Sequence, residues 1–149
     1  MVSRRSVACV GIVVLCLAPV VFAPSARAQE PALVARDAWV RQPLPSKDET
    51  ALYLVIENHS PQHRYLVAVS AEGVDKAELH EMKMQGMMMR MNLIPQILVP
   101  AKNKATLSPN GLHVMLFGLK ARPAVGDSLN VTLKFDDGTT VPVVATVKK

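Results

Sequence analysis

From Leu33 to Val147 the chain is cut repeatedly by turn residues, and short runs rich in Val, Leu, Ile, Thr and Tyr lie between the cuts. No stretch keeps a sustained 3.6-residue apolar period, which removes amphipathic helices as a framework. The runs are Leu33–Val40, Thr50–Glu57, Arg64–Ser70, Ala77–Met84, Met87–Ile94, Ile97–Val99, Lys104–Leu107, Leu112–Leu119, Ser128–Phe135 and Thr140–Val147. Asn58-His59-Ser60-Pro61, Pro95, Pro100, Ser108-Pro109-Asn110-Gly111 and Asp136-Asp137-Gly138 punctuate them. Strands this short bury their apolar faces only by stacking two sheets or closing one. The expectation is an all-β sandwich or barrel.

The N-terminus reads as a secretory signal. Arg4 and Arg5 open it, Val7 to Val21 is apolar, and Ala26-Arg27-Ala28 is a small-x-small cleavage site. The apolar run falls short of the roughly 20 residues that span a bilayer. The expected organisation is a signal peptide at 1–28 and one exported, non-membrane-spanning domain at 29–149. Ser3-Arg4-Arg5 hints at twin-arginine export, but the rest of that signature is missing and the general secretory route is favoured. Leu15 is too large for a good lipoprotein cleavage site before Cys16.

Cleavage changes what the composition means. Cys9 and Cys16 leave with the signal, so the mature domain has neither disulfide nor thiolate. That excludes a blue-copper centre, which needs a Cys ligand. Removing Arg4, Arg5 and Arg27 leaves 14 basic against 12 acidic residues, and the aromatics are not interleaved with a basic cluster. Nucleic acid is therefore not an expected partner.

The methionines carry the chemical signal. Of eight, six crowd into ten residues (Met82, Met84, Met87, Met88, Met89 and Met91), while other apolar positions use Val, Leu and Ala. A turn at Gln85-Gly86 would pair the flanking strands so that His80 faces Met91, Met82 faces Met89 and Met84 faces Met87. All six would then share one face. His113 and Met115, two apart in a strand, also share a face, with Leu112, Val114 and Leu116 turned the other way. His80, Met91, His113 and Met115 would offer two imidazoles and two thioethers. Neutral, soft-to-borderline donors suit Cu(I) far better than Zn(II), Mg(II) or Ca(II). Imidazoles must be neutral to bind, so affinity should fall as pH drops.

Plainer readings bound this one. Met fills irregular core gaps well, and a single Met here would be read as packing. His59 and His63 flank Pro61 and read as solvated turn residues; Asn58-His59-Ser60 matches a glycosylation sequon but reads as a turn. Trp39 reads as a core anchor. No Gly-x-Ser-x-Gly elbow, His-Glu-x-x-His or phosphate loop appears, so no catalytic residue is assigned and the chain is expected not to be an enzyme.

His80, Met91, His113 and Met115 match the His-x10-Met-x21-His-x-Met motif of the PCu(A)C family of periplasmic copper chaperones, and the chain resembles that family. Glu78-Leu79-His80-Glu81, Gly111 to Leu116 and Gly118-Leu119-Lys120 are similar to its surrounding sequence. Ala38 to Arg41, Ala51 to Leu54 and Glu57-Asn58 are similar to its early strands. The resemblance implies a cupredoxin-like Greek-key β-sandwich holding Cu(I) at those four side chains. It also implies periplasmic delivery towards the Cu(A) centre of cytochrome c oxidase, alongside Sco-type proteins. Met82, Met84, Met87, Met88 and Met89 exceed the motif, as a low-affinity track to the site or as filler. Competing expectations are a copper buffer with the same ligands, and a metal-free interaction domain with a Met docking face.

Overall fold

Alternating apolar residues with frequent turns become ten strands in the computed structural model, which describes residues 31–149. The expected signal peptide and its cleavage site lie outside the described residues. The strands are β1 (Leu33–Arg41), β2 (Thr50–Asn58), β3 (Arg64–Ala71), β4 (Val74–Gln85) and β5 (Met88–Leu93), followed by β6 (Ile97–Val99), β7 (Asn103–Leu107), β8 (Leu112–Leu119), β9 (Ser128–Phe135) and β10 (Thr140–Lys148). Each expected run is a strand; β6, β8 and β9 keep the expected bounds. Among the described residues there is no helix.

The strands join in the order β5-β4-β8-β2-β1-β10-β9-β3-β6, with β7 also on β2. All pairings are antiparallel except β1 with β10. The path folds over on itself around one core. β2 contributes Leu52, Leu54 and Ile56, β8 contributes Val114 and Leu116, and β3 and β9 answer with Leu66, Val131, Leu133 and Phe135. Each such side chain contributes about 1.5–3 kcal/mol on burial. Asn58 is buried without loss because its amide donates to the carbonyls of Gln62 and Val99 while its oxygen accepts from Ser60. It staples the turn, as the turn reading of that tripeptide expects.

Two backbone features decide which side chains reach the outer face. β7 and β8 take successive stretches of one β2 edge, Leu54–Asn58 and Thr50–Leu52. β8 thereby reaches across to β4. In β1 the register slips between Arg36 and Trp39, and Asp37 takes φ 51°. This bulge adds one residue and reverses the parity beyond it. Val40 therefore enters the core and Trp39 turns outward, half-buried against Tyr53 at 4.5 Å between ring centroids. The expectation of Trp39 as a core anchor is corrected: uninterrupted alternation from Leu33 would have pointed it inward.

Candidate metal centre

β4 hydrogen-bonds to β5 along one edge and to β8 along the other. That position brings the two sequence-distant halves of the motif onto one surface. In the β4–β8 ladder His80 lies directly opposite His113, and their ring centroids are 5.8 Å apart. Met115 is one row away, opposite Glu78. The other face of β8 sends Val114 and Leu116 into the core, as the alternation requires.

The β4–β5 register differs from the expected one. His80 pairs with Leu93, Met82 with Met91, and Met84 with Met89. The turn residues are Gly86 and Met87, one step later than Gln85-Gly86. Gly86 takes φ 63° at the first central position while Met87 stays at negative φ, the arrangement of a II′ turn. Starting the turn on glycine avoids the cost of a left-handed conformation at Gln85. The slip is two residues, so side chains keep their faces. His80, Met82, Met84, Met89 and Met91 share the outer face as expected, whereas Met87 sits in the turn, 98% exposed, and leaves that set. On the reverse side Lys83 meets Arg90 and Glu81 meets Asn92, where Lys83–Met88 and Glu81–Arg90 were expected.

A cleft of about 350 Å³ opens over this face. Met82, Met91, His113 and Met115 line it with Ala51 and Tyr53, under a rim from the β1–β2 loop (Pro43, Leu44, Lys47) and the β7–β8 turn (Pro109, Asn110). His80 does not line the cleft but lies beside His113 at its edge. His113 is 4% exposed, and Met91 at the outer end is 49% exposed. Tyr53 and Phe117 stand beside the imidazoles, at 6.3 Å from His113 and 6.4 Å from His80.

Each imidazole has one nitrogen tied and one free. His113 Nδ1–H donates to the Gly111 carbonyl at 3.0 Å, which leaves the Nε2 lone pair available. His80 Nε2–H donates to Glu78 Oε2 at 3.0 Å. Glu78 accepts as a carboxylate, because hydrogen bonds from Lys76 and then His80 hold its pKa below the usual value. The remaining His80 nitrogen, Nδ1, is buried with no partner among the described residues. A buried unsatisfied acceptor is costly, and it is the atom a soft cation would satisfy. Orienting the far ring nitrogen through a carboxylate or carbonyl is how proteins fix a metal-binding tautomer.

The donor set is selective. Among the described residues no three His, Cys, Asp or Glu side chains are arranged to hold a metal ion by themselves. Three thioethers, from Met82, Met91 and Met115, share the cleft with His113. His59 and His63 lie beyond the Asn58 end of β2, away from the cleft at its Thr50 end; His59 sits near Glu57, and His63 accepts from the Ala101 amide. Two residues were missed by sequence reasoning. Glu78 shares a strand face with His80 two positions on, a spacing that could have marked it. Met82, counted as surplus, lines the cleft between Met91 and Gly111.

Residues 33–147 match the family described as "Putative lipoprotein LpqE-like". A curated relative, "Putative lipoprotein Lxx21020" of Leifsonia xyli subsp. xyli (strain CTCB07), is 31% identical over 112 residues, which is 74% of this chain and 66% of that protein. The chain thus spans just under two thirds of that relative's length. Among solved structures, the copper(I) form of DR1885 from Deinococcus radiodurans is 38% identical with TM-score 0.66, covering 85% of this chain and 83% of that one. The apo PCuAC domain of PmoF1 is 28% identical with TM-score 0.67, covering 79% and 94%. The sandwich expected from the sequence is thus the fold of PCuAC domains, as the resemblance implied. The chain belongs to the LpqE-like family.

Proposed function

We propose that this LpqE-like protein is a copper(I) carrier that holds one ion through His80, Met91, His113 and Met115. One observation carries the reading: two imidazoles meet across β4 and β8, each with one nitrogen tied by a hydrogen bond it donates and the other free, beside thioethers. The copper(I) form of a relative with 38% identity over most of both chains supports it.

The chemistry suits carriage more than storage or catalysis. Four neutral donors leave the ion its single positive charge, and the Glu78 carboxylate lies close by to offset it. Thioethers release no proton on binding, and no thiolate competes with a recipient that has one. Partial exposure at Met91 gives a recipient a side from which to exchange ligands. Following the family resemblance, we take the recipient to be the Cu(A) subunit of cytochrome c oxidase, with a Sco-type thiol protein as co-worker. The signal-like sequence of residues 1–28 and the lipoprotein descriptions of family and relative support export, which we place in the periplasm. Cleavage after Ala28 predicts a mature N-terminus at Gln29; a lipid-modified mass at Cys16 would replace that part of the reading.

Anaerobic titration of the exported protein against a competing Cu(I) chelator tests the site. One tight equivalent is expected, and the double variant H113A/M91A should lose it. Unchanged stoichiometry and affinity in that variant would refute the assignment.

A further inference from the structure

The methionines of the hairpin outnumber what one site needs, and the register gives the surplus an order. Met84 lies directly opposite Met89, and Met82 directly opposite Met91, all on the outer face. Directly opposed Cβ atoms stand about 4.5–5.5 Å apart, and successive rows on a strand face are about 7 Å apart. Two rows of paired thioethers therefore lead from the hairpin tip to the row of His80 and His113. Met84 is 61% exposed and Met89 44% exposed, on the edge hairpin of the sheet. At that exposure the two side chains bury too little apolar surface for core packing to account for them. The ionic residues of the hairpin (Lys83, Arg90 and Glu81) occupy the opposite face. The thioether face itself carries no hard donor beyond Met82 towards the tip.

We propose that Met82, Met84 and Met89 form a second, weaker site for a soft monovalent cation, with Met91 shared between it and the first. Neutral sulfur donors select Cu(I) or Ag(I) over Zn(II), Mg(II) and Ca(II). Thioethers carry no proton to lose, so binding here releases none. The ion moves inward by ligand exchange with no change of oxidation state: a bond to Met84 or Met89 breaks as one to Met91 forms, and a bond to Met82 breaks as one to an imidazole forms. That role as an approach rests on the copper reading above; the site itself does not.

The test is an anaerobic titration of the exported protein with Ag(I), a redox-inert probe, following the methionine methyl resonances by NMR. The first equivalent should move Met91 and Met115, and the second Met82, Met84 and Met89. M84L/M89L, which keeps apolar bulk at exposed positions, should weaken the second equivalent at least about tenfold and the first by less than about twofold. Methyls of Met84 and Met89 that stay still while Met115 moves would overturn this proposal and leave the carrier reading intact, the hairpin face then being a docking surface. A first equivalent indifferent to H80A and H113A, with the second still lost in M84L/M89L, would overturn the carrier reading and leave this one.

Discussion

Replacing Glu78 by Ala removes the one hydrogen-bond partner that the His80 ring has among the described residues and leaves every candidate metal donor in place. With the carboxylate present, the proton is held on Nε2 and the buried Nδ1 keeps its lone pair. Without it, the ring is free to change tautomer and to rotate, and both states have to be reversed before Nδ1 can bind. Loss of such an orienting partner generally costs about 10–100-fold in metal affinity. Here the figure should fall at the low end, about tenfold, because the side chains of His80 and Glu78 are 12% and 20% exposed and water can partly replace the lost acceptor. The variant should bind Cu(I) about tenfold more weakly in anaerobic chelator competition, with unchanged circular dichroism. E78Q, whose amide oxygen still accepts, should recover most of the loss, and K76M, which spares the His80 bond, should lose little. In an H80A background E78A should add less than about twofold, because the residue then has nothing to orient. A full tenfold loss persisting in that background would refute the reasoning, since Glu78 would then be acting as a distant charge.

Three further outcomes follow from the fold. Leu116 is fully buried, so L116A should cost about 2–5 kcal/mol in denaturant unfolding, with the β4–β8 ladder and the proposed metal site weakened together. Gly118 takes φ 68°, and a Cβ there would meet the Asp75 Cβ at 2.7 Å; G118A should cost about 1–3 kcal/mol, read as a lowered Tm, while G126A, with φ 97° but open space, should cost less. Asp137 accepts from the Thr139 amide and pairs with Arg64, which together hold its carboxyl below the ordinary value. A depressed folded pKa means stability that is present above the unfolded value and lost as pH falls through the folded one. D137N should therefore be less stable than wild type by under about 1 kcal/mol near neutral pH, with the gap closing in acid; a gap that widens in acid would reverse the sign.

Strand existence was readable because period-two alternation and Gly/Pro punctuation are local. β6, β8 and β9 came out with their expected bounds for that reason. The hairpin register was off by two because either side of Gly86 offers a tight turn, and glycine's preference for positive φ at the first central position chose between them. Trp39 went wrong for a different reason. The Asp37 bulge carries no strong sequence mark, and a single inserted residue reversed the side on which every later side chain falls.

Donor chemistry and facing were written in the residues themselves. Imidazole and thioether types, the absence of cysteine beyond Cys16, and the parity that puts His80, Met82 and Met91 on one side follow from composition and a two-residue repeat, which no register slip of two can alter. Convergence was decided elsewhere. His80 meets His113 because β4 is the strand that pairs with both β5 and β8, and that neighbour order comes from burying Leu79, Val114, Leu116 and Leu52 against the far half of the sheet. Burial of a shared core is a property of the whole chain, so the pairing that assembles the site, and the Glu78 and Gly111 contacts that free one nitrogen on each ring, exist only once the chain has folded.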